Sequence, residues 1–140
     1  MNRIFGKKLE FKLKAFTITE LLVVLIIVGV LILLALPKLM PLISRAKSTE
    51  AQLQLKHIYT VQKTFFYMNS KYSSDFNEID FEHAKLVSEG GTGNYKIEIQ
   101  EVTNNRFKIT ATAVTDFDGD GIFNVWEIDE DQQLKEVTKD

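Results

Sequence analysis

The residues best suited to chemistry lie near the carboxyl end of the chain, in residues 116–127. Their sequence, DFDGDGIFNVWE, places acidic side chains at positions one, three, five and twelve, a glycine at six and an asparagine at nine. This is the spacing of an EF-hand loop, in which hard oxygen ligands surround Ca²⁺. The expected ligands are Asp116, Asp118, Asp120, the carbonyl of Ile122, Asn124 and Glu127.

Two questions stay open for this loop. Asp-Gly-Asp-Gly also forms tight turns without any metal, whereas clustered carboxylates repel each other unless a cation neutralises them, which favours Ca²⁺. Residues 122–129 alternate like a strand, and a strand at this point could carry the Glu127 carboxylate away from the metal.

A second ionisable side chain, Glu20, is unusual because of its surroundings. It precedes sixteen uncharged residues, 21–36, and a helix from Phe16 onward is long enough to cross a membrane core of roughly 30 Å. A carboxylate deep in such a helix costs about 2.5–3.5 kcal/mol, and less near an interface, so Glu20 needs a reason to be there. One reason is a capping box, because Thr17 and Glu20 have the Thr-x-x-Glu spacing of a helix start.

The stretch AFTITELLVV, which begins at Ala15, resembles the processing site of type IV pilins and type II secretion pseudopilins. In that family a prepilin peptidase cuts before a phenylalanine, the new amino terminus is methylated, and a glutamate at mature position five pairs with the amine of a neighbouring subunit. Cleavage before Phe16 makes Glu20 the fifth mature residue and puts Gly29 and Pro37 at the family's usual positions fourteen and twenty-two. The family usually has glycine where this chain has Ala15, which is also small.

The resemblance implies an α+β, pilin-like fold in which a long N-terminal helix packs on a small C-terminal antiparallel β-sheet. The expected parts are a leader peptide, a membrane-spanning or filament-core half-helix, an amphipathic half-helix and a periplasmic or extracellular head: residues 1–15, 16–41, 42–72 and 73–140. The implied partners are prepilin peptidase, an inner-membrane assembly platform and further copies of the chain in a helical filament. The implied location is the inner membrane, followed by a periplasmic pseudopilus or a cell-surface pilus.

The distribution of charge supports export and excludes several classes of function. Residues 1–15 carry five basic side chains and one acidic one, which holds them on the cytoplasmic side of a single-pass protein. The absence of cysteine excludes disulfides and thiolate chemistry. Residues 116–140 carry nine acids against two lysines, which argues against nucleic-acid binding. The sequence has no phosphate-binding loop, zinc pattern or catalytic constellation, so we expect no enzyme.

Periodicity predicts the elements that position these residues. Pro37 and Pro41 predict a kink or a locally unwound stretch over residues 33–41. Beyond it, residues 42–69 repeat as an amphipathic helix. Its expected buried face is Ala51, Leu55, Ile58, Gln62 and Phe65.

The second half of the chain reads as a sheet. Residues 90–94 indicate a flexible link, and residues 103–105 a tight hairpin turn. Alternation of apolar and polar side chains predicts strands at 95–102, 106–114, 122–129 and 134–137. One apolar face of this sheet needs the amphipathic helix to cover it.

Two classes of function follow. The first is a filament subunit of a pilus or a secretion pseudopilus. The alternative is a single-span membrane anchor that presents a calcium-binding head, as a receptor or adhesin, and does not polymerise. Replacing Glu20 by alanine should abolish assembly in the first case and have no effect in the second.

Overall fold

The computed structural model describes residues 16–140. Its elements are a long helix, a short 3₁₀ turn at Val87–Glu89 and four strands: α1 (Ile18–Asn69), β1 (Tyr95–Val102), β2 (Phe107–Ala113), β3 (Val125–Asp129) and β4 (Leu134–Thr138). The chain divides into two compact units, one ending at Leu36 and the other running from Pro37 to Asp140, so each is described separately.

The first unit is the apolar start of α1. Its residues are Leu, Ile, Val, Ala and Gly on every side of the helix, with Thr19 and Glu20 as the exceptions. No large apolar side chain from Phe16 to Leu36 is buried within the described chain. A helix that is apolar all round is one that other apolar groups normally surround.

The backbone stays helical through Pro37 and Pro41, so the prediction of a locally unwound stretch was wrong. Each proline removes one N–H donor and crowds the preceding turn. The helical conformation nevertheless persists on both sides of each proline.

In the second unit, α1 buries one narrow face. Its buried residues are Ser44, Ser48, Ala51, Leu55, Ile58 and Gln62, at spacings of three and four. The last four confirm the predicted face, and Phe65 is partly buried against the same core. Burying a leucine or isoleucine side chain contributes about 1.5–3 kcal/mol, so this face is the main attachment of α1 to the sheet.

The four strands form an antiparallel meander in the order β1-β2-β3-β4. Ile109 of β2 lies opposite Ile99 of β1 and Ile128 of β3, so the alternating apolar residues meet on one face. The apolar core joins that face to the buried residues of α1. The four predicted strands are confirmed, although β3 begins at Val125 and not at 122.

Residues 70–94, which connect α1 to the sheet, are held by paired polar contacts from the helix. The Gln62 amide donates to the carbonyl of Ser73 (2.8 Å) and accepts from its N–H (3.1 Å). The Glu50 carboxylate accepts from the backbone N–H and the side-chain amide of Asn94, at 2.8 and 2.7 Å. Both ends of the connection are therefore fixed to α1.

Residues 90–94 belong to a compact loop, so the prediction of a flexible link was wrong. The N–H groups of Gly91 and Gly93 donate to the carbonyls of Leu86 and Lys85, at 2.8 and 2.9 Å. A Cβ at position 91 would lie 2.0 Å from the Lys85 carbonyl oxygen, so only glycine allows this close approach.

Candidate functional site: the helix start and the acidic loop

Thr17 and Glu20 form the capping box that their spacing indicated. The Thr17 N–H donates to Glu20 Oε2 at 2.8 Å, and the Glu20 N–H donates to Thr17 Oγ1 at 3.2 Å. The Thr17 hydroxyl also donates to Oε2, at 2.9 Å. Within residues 16–140 no donor binds Oε1, so the capping box leaves one exposed carboxylate oxygen available to a second partner.

The helix that follows is suited in length and composition to crossing a membrane. Its most apolar eighteen-residue window has a mean hydropathy of 3.0, and none of that window is buried within the chain. Phe16 and Ile18 at its start are 86% and 80% exposed. This apolar surface must meet lipid or other protein chains, because water around it would be costly.

Three more predicted residues bear on this segment. A Cβ at Gly29 would meet no atom within 4 Å, so nothing in the chain itself requires glycine there. Pro37 lies inside α1, at the first residue of the second unit. Ala15, the predicted residue before the cleavage point, lies outside the described residues.

The acidic loop is built from carboxylates that accept hydrogen bonds from its own backbone. Asp116 accepts from the N–H groups of Gly121 and Gly119, both at 2.6 Å. These bonds stabilise the charged form and lower the pKa of Asp116. The loop can turn this tightly because Gly119 and Gly121 have φ angles of 85° and 87°.

Asp118 and Asp120 repeat this local pattern. Each accepts from the backbone N–H two residues further on, at 3.1 Å for Asp118 and 2.7 Å for Asp120. The second of these donors is the N–H of Ile122, which places that residue within the loop. Three predicted ligands therefore follow each other on one continuous turn.

The fourth carboxylate of the cluster is Asp140, which the sequence pattern did not indicate. Asp116, Asp118, Asp120 and Asp140 each offer an oxygen, and these four oxygens lie within 4.8 Å of one another. Asp140 Oδ2 accepts from the Phe117 N–H at 2.9 Å, and Oδ1 is a buried atom without a hydrogen-bond partner. No motif spacing links residue 140 to residue 116, because only the path of β3 and β4 brings them together.

Asn124 and Glu127 do not lie in this cluster, so the prediction that they are ligands of an EF-hand loop was wrong. The Asn124 side chain is buried and accepts from the Tyr95 hydroxyl at 2.7 Å, while it donates to Glu136 at 2.8 Å. Glu127 lies on β3 opposite Thr110 and Lys135, with its carboxylate 3.9 Å from Lys108 Nζ. In an EF-hand a helix follows the loop, whereas here a strand does, and a strand directs these side chains elsewhere.

Asn124 instead organises a buried polar network under the loop. The Ser48 hydroxyl donates to its carbonyl oxygen at 3.4 Å, and its amide donates to the Thr138 carbonyl at 3.0 Å. Burial raises the pKa of Tyr95 to about 12, so its hydroxyl remains a donor at neutral pH. The role of Asn124 is therefore to connect α1, β1 and β4.

The four clustered carboxylates suit a hard divalent cation. All the atoms that could bind a metal here are oxygens, which Ca²⁺ and Mg²⁺ prefer as ligands and softer transition metals do not. The unpartnered buried oxygen of Asp140 is an atom that a cation would satisfy. The residues present therefore fit an oxygen-coordinated metal ion such as Ca²⁺.

Comparison with known proteins points to one family. Residues 37–121, more than half of the chain, match a family model described as type IV minor pilin ComP, DNA uptake sequence receptor. The chain is also 41% identical over 68 residues to a protein of Myxococcus xanthus (strain DK1622) named type IV major pilin protein PilA. That match covers 49% of this chain and 31% of the relative, so the chain spans about a third of that protein. With its long apolar helix on a four-stranded antiparallel sheet, the chain belongs to the type IV pilin family.

Proposed function

We propose that the chain is a structural subunit of a type IV pilus or a type II secretion pseudopilus, assembled through the apolar helix of residues 16–36. The observation that carries the proposal is the exposed apolar surface of this helix, none of whose large apolar side chains is buried within residues 16–140. Membership of the type IV pilin family supports the same conclusion. In this proposal the chain itself catalyses no reaction.

Maturation would start in the inner membrane, with the basic leader in the cytoplasm. Prepilin peptidase would cleave between Ala15 and Phe16, the new amine would be methylated, and an assembly platform would add the subunit to the filament. Burying either the amine or the Glu20 carboxylate alone in an apolar core is costly. Pairing between subunits offsets both costs, and the free Oε1 of Glu20 is the atom available for it.

Gly29 and Pro37 have supporting roles in this proposal. The open space around Gly29 allows the backbone of a neighbouring helix to approach closely. Pro37 weakens the helical hydrogen bonding where the apolar segment ends, which would let a filament extend under load.

The alternative function is a single-span anchor that presents the head as a receptor or adhesin. It shares the membrane helix and the acidic loop with the filament subunit. It differs in that the carboxylate of Glu20 would have no intersubunit partner and only the capping role.

Two measurements separate these functions. Intact-mass analysis of protein from sheared surface and membrane fractions should give a chain starting at methylated Phe16. Glu20→Ala should eliminate filaments, and Glu20→Gln, which keeps the shape and hydrogen bonding of the side chain, should also reduce them strongly. An unprocessed chain in cells with active prepilin peptidase, or normal filaments with both variants, would contradict the filament proposal.

We propose further that the acidic loop binds Ca²⁺ through Asp116, Asp118, Asp120 and the carbonyl of Ile122, with Asp140 as the additional ligand in the place foreseen for Glu127. The bound ion would neutralise the repulsion between the carboxylates and hold the loop against residue 140. Extracellular modules of this kind bind Ca²⁺ with dissociation constants of about 10⁻⁴–10⁻³ M.

Calcium titration of the full chain in detergent micelles tests this site. The melting temperature should rise with millimolar Ca²⁺, and Asp118→Asn and Asp140→Asn should each remove most of that rise. Glu89→Gln, an exposed acid outside the cluster, serves as the control and should keep it. Equal responses of all the variants would leave the loop as a metal-free turn.

The pilin family that matches residues 37–121 is described as a receptor for a DNA uptake sequence, so DNA binding by this chain needs a test. The nine acids of residues 116–140, against two lysines, argue against DNA binding by this part of the head, because phosphate contacts need lysine and arginine. Gel-shift titration with double-stranded DNA at low salt tests the prediction. Salt-dependent binding would overturn it.

A further inference from the structure

His83 lies on the connection between α1 and the sheet and contacts the outer edge of β1. Its ring Nδ1 lies 2.6 Å from the carbonyl oxygen of Ala84, and its Nε2 lies 3.1 Å from the backbone nitrogen of Ile97. A carbonyl oxygen can only accept and an amide N–H can only donate. The two partners therefore fix the neutral tautomer that carries its proton on Nδ1.

The bond to Ile97 closes part of an otherwise open sheet edge. β1 lies at one end of the strand order, so alternate N–H groups of this strand point away from β2. Unpaired N–H groups on an edge strand attract other strands, and proteins usually cover or charge such edges. Here an imidazole nitrogen covers the edge at Ile97, near the bridge between Leu86 and Gly93.

We propose that His83 is a pH-sensitive latch, which holds residues 82–93 on the edge of β1 while its imidazole is neutral and releases them when it is protonated. Protonation of Nε2 would place a second donor against the Ile97 N–H, so the latched state cannot hold that proton. Protonation of the ring therefore favours the open state, because the Ile97 N–H then has no acceptor on the imidazole. His83 is partly exposed, which gives protons access to the ring.

Other charged groups around the ring leave this direction unchanged. His83 lines a surface groove together with Lys85 and Glu89 from the loop and Lys96 from β1. The Lys96 ammonium is paired with Glu98 at 2.7 Å. Glu82 is adjacent to His83 in the chain.

The helix adds one more titratable group. His57 on α1 packs against the ring of Phe81, with ring centroids 5.8 Å apart. Phe81 precedes His83 by two residues in the chain. None of these groups supplies an acceptor to the Ile97 N–H in place of the imidazole. The latch therefore depends on His83 alone.

NMR of the full chain in detergent micelles tests the latch in two ways. At pH 7.5 the ring nitrogens of His83 should report the Nδ1–H tautomer. Between pH 7.5 and pH 5 the Ile97 amide should lose about tenfold of its protection against hydrogen exchange, relative to its intrinsic rate at each pH. The amide of Ala111, on the central strand β2, should keep its protection and so exclude global unfolding.

Two variants make the test specific. In His83→Gln the side-chain oxygen can still accept from Ile97 but does not titrate, so protection should become independent of pH. His57→Gln removes the nearby second histidine and should leave the pH dependence intact. An Nε2–H tautomer at pH 7.5, or protection of Ile97 that does not change with pH in the native chain, would overturn the proposal.

Discussion

The two halves of α1 are one continuous helix, but they bury their apolar side chains in different ways. In the second half, apolar residues recur at spacings of three and four and meet the sheet, so that Ala51, Leu55 and Ile58 are fully buried. In the first half they surround the helix, and no large apolar side chain is buried within residues 16–140. A stripe indicates a partner inside the same molecule, whereas a uniform apolar surface indicates a partner outside it.

Polar residues show the same contrast. Gln62 and Glu50 in the second half are used by the fold itself, through paired bonds to Ser73 and Asn94. Glu20 in the first half makes only local contacts with Thr17, in the same turn. Changes in the second half should therefore alter the stability of the head, and changes in the first half should alter assembly.

The largest difference is expected from one substitution made in both halves. Leu55→Ala should lower the free energy of unfolding of the head by about 2–5 kcal/mol, because it opens a cavity in the core. Leu25→Ala, at an exposed position, should leave that free energy unchanged. Urea unfolding of the full chain in micelles, followed by Trp126 fluorescence, measures both variants. Similar losses in the two would contradict the division between the halves.

A loss of comparable size is expected for Gln62→Leu. It leaves the buried N–H and carbonyl of Ser73 without partners, at about 1–3 kcal/mol for each group. Gln52→Leu, the same change at a half-buried position ten residues earlier, should stay within about 0.5 kcal/mol of the native chain. The same urea titration compares them, and an unchanged Gln62→Leu midpoint would mean that this link does not stabilise the head.

Larger side chains at Gly29 should leave folding intact but should interfere with assembly. An added Cβ meets no atom of the chain, and alanine favours the helix over glycine by about 1 kcal/mol, so the monomer should not be destabilised. Gly29→Leu should keep head stability but lower the yield of sheared filaments, because neighbouring helices could no longer approach closely. Unchanged yields of both variants would show that no close approach occurs at residue 29.

The smallest effect is expected from lowering the pH. It should change the stability of the head and not the apolar first half of α1. The pKa of Asp116 is lowered in the folded chain, so its stabilisation is complete above the ordinary aspartate pKa of about 3.9 and is lost as pH falls below it. Asp116→Asn should therefore reduce the loss of head stability between pH 5 and pH 3. The melting temperature in the presence of a chelator measures this, and an identical loss in the variant would exclude Asp116 as its source.

Much of the architecture was readable in the sequence, because its signals are local. A period of three to four residues gave the buried face of α1, and a period of two gave the strands. The capping box needs only two residues three apart, Thr17 and Glu20. The first three acids of the loop likewise lie within five residues, and their backbone bonds are formed inside the same turn.

The tertiary structure decided which distant residues meet, and no local period encodes those meetings. It brought Asp140 to the acidic loop, although Asp140 follows Asp116 by 24 positions. It also paired the Asn124 side chain with the Tyr95 hydroxyl and not with the carboxylate cluster. It also set His83 against Ile97, a contact that depends on how residues 70–94 follow the edge of β1. Chemistry within one turn follows from sequence because the chain has few ways to fold there, whereas contacts between elements depend on the packing of the whole head.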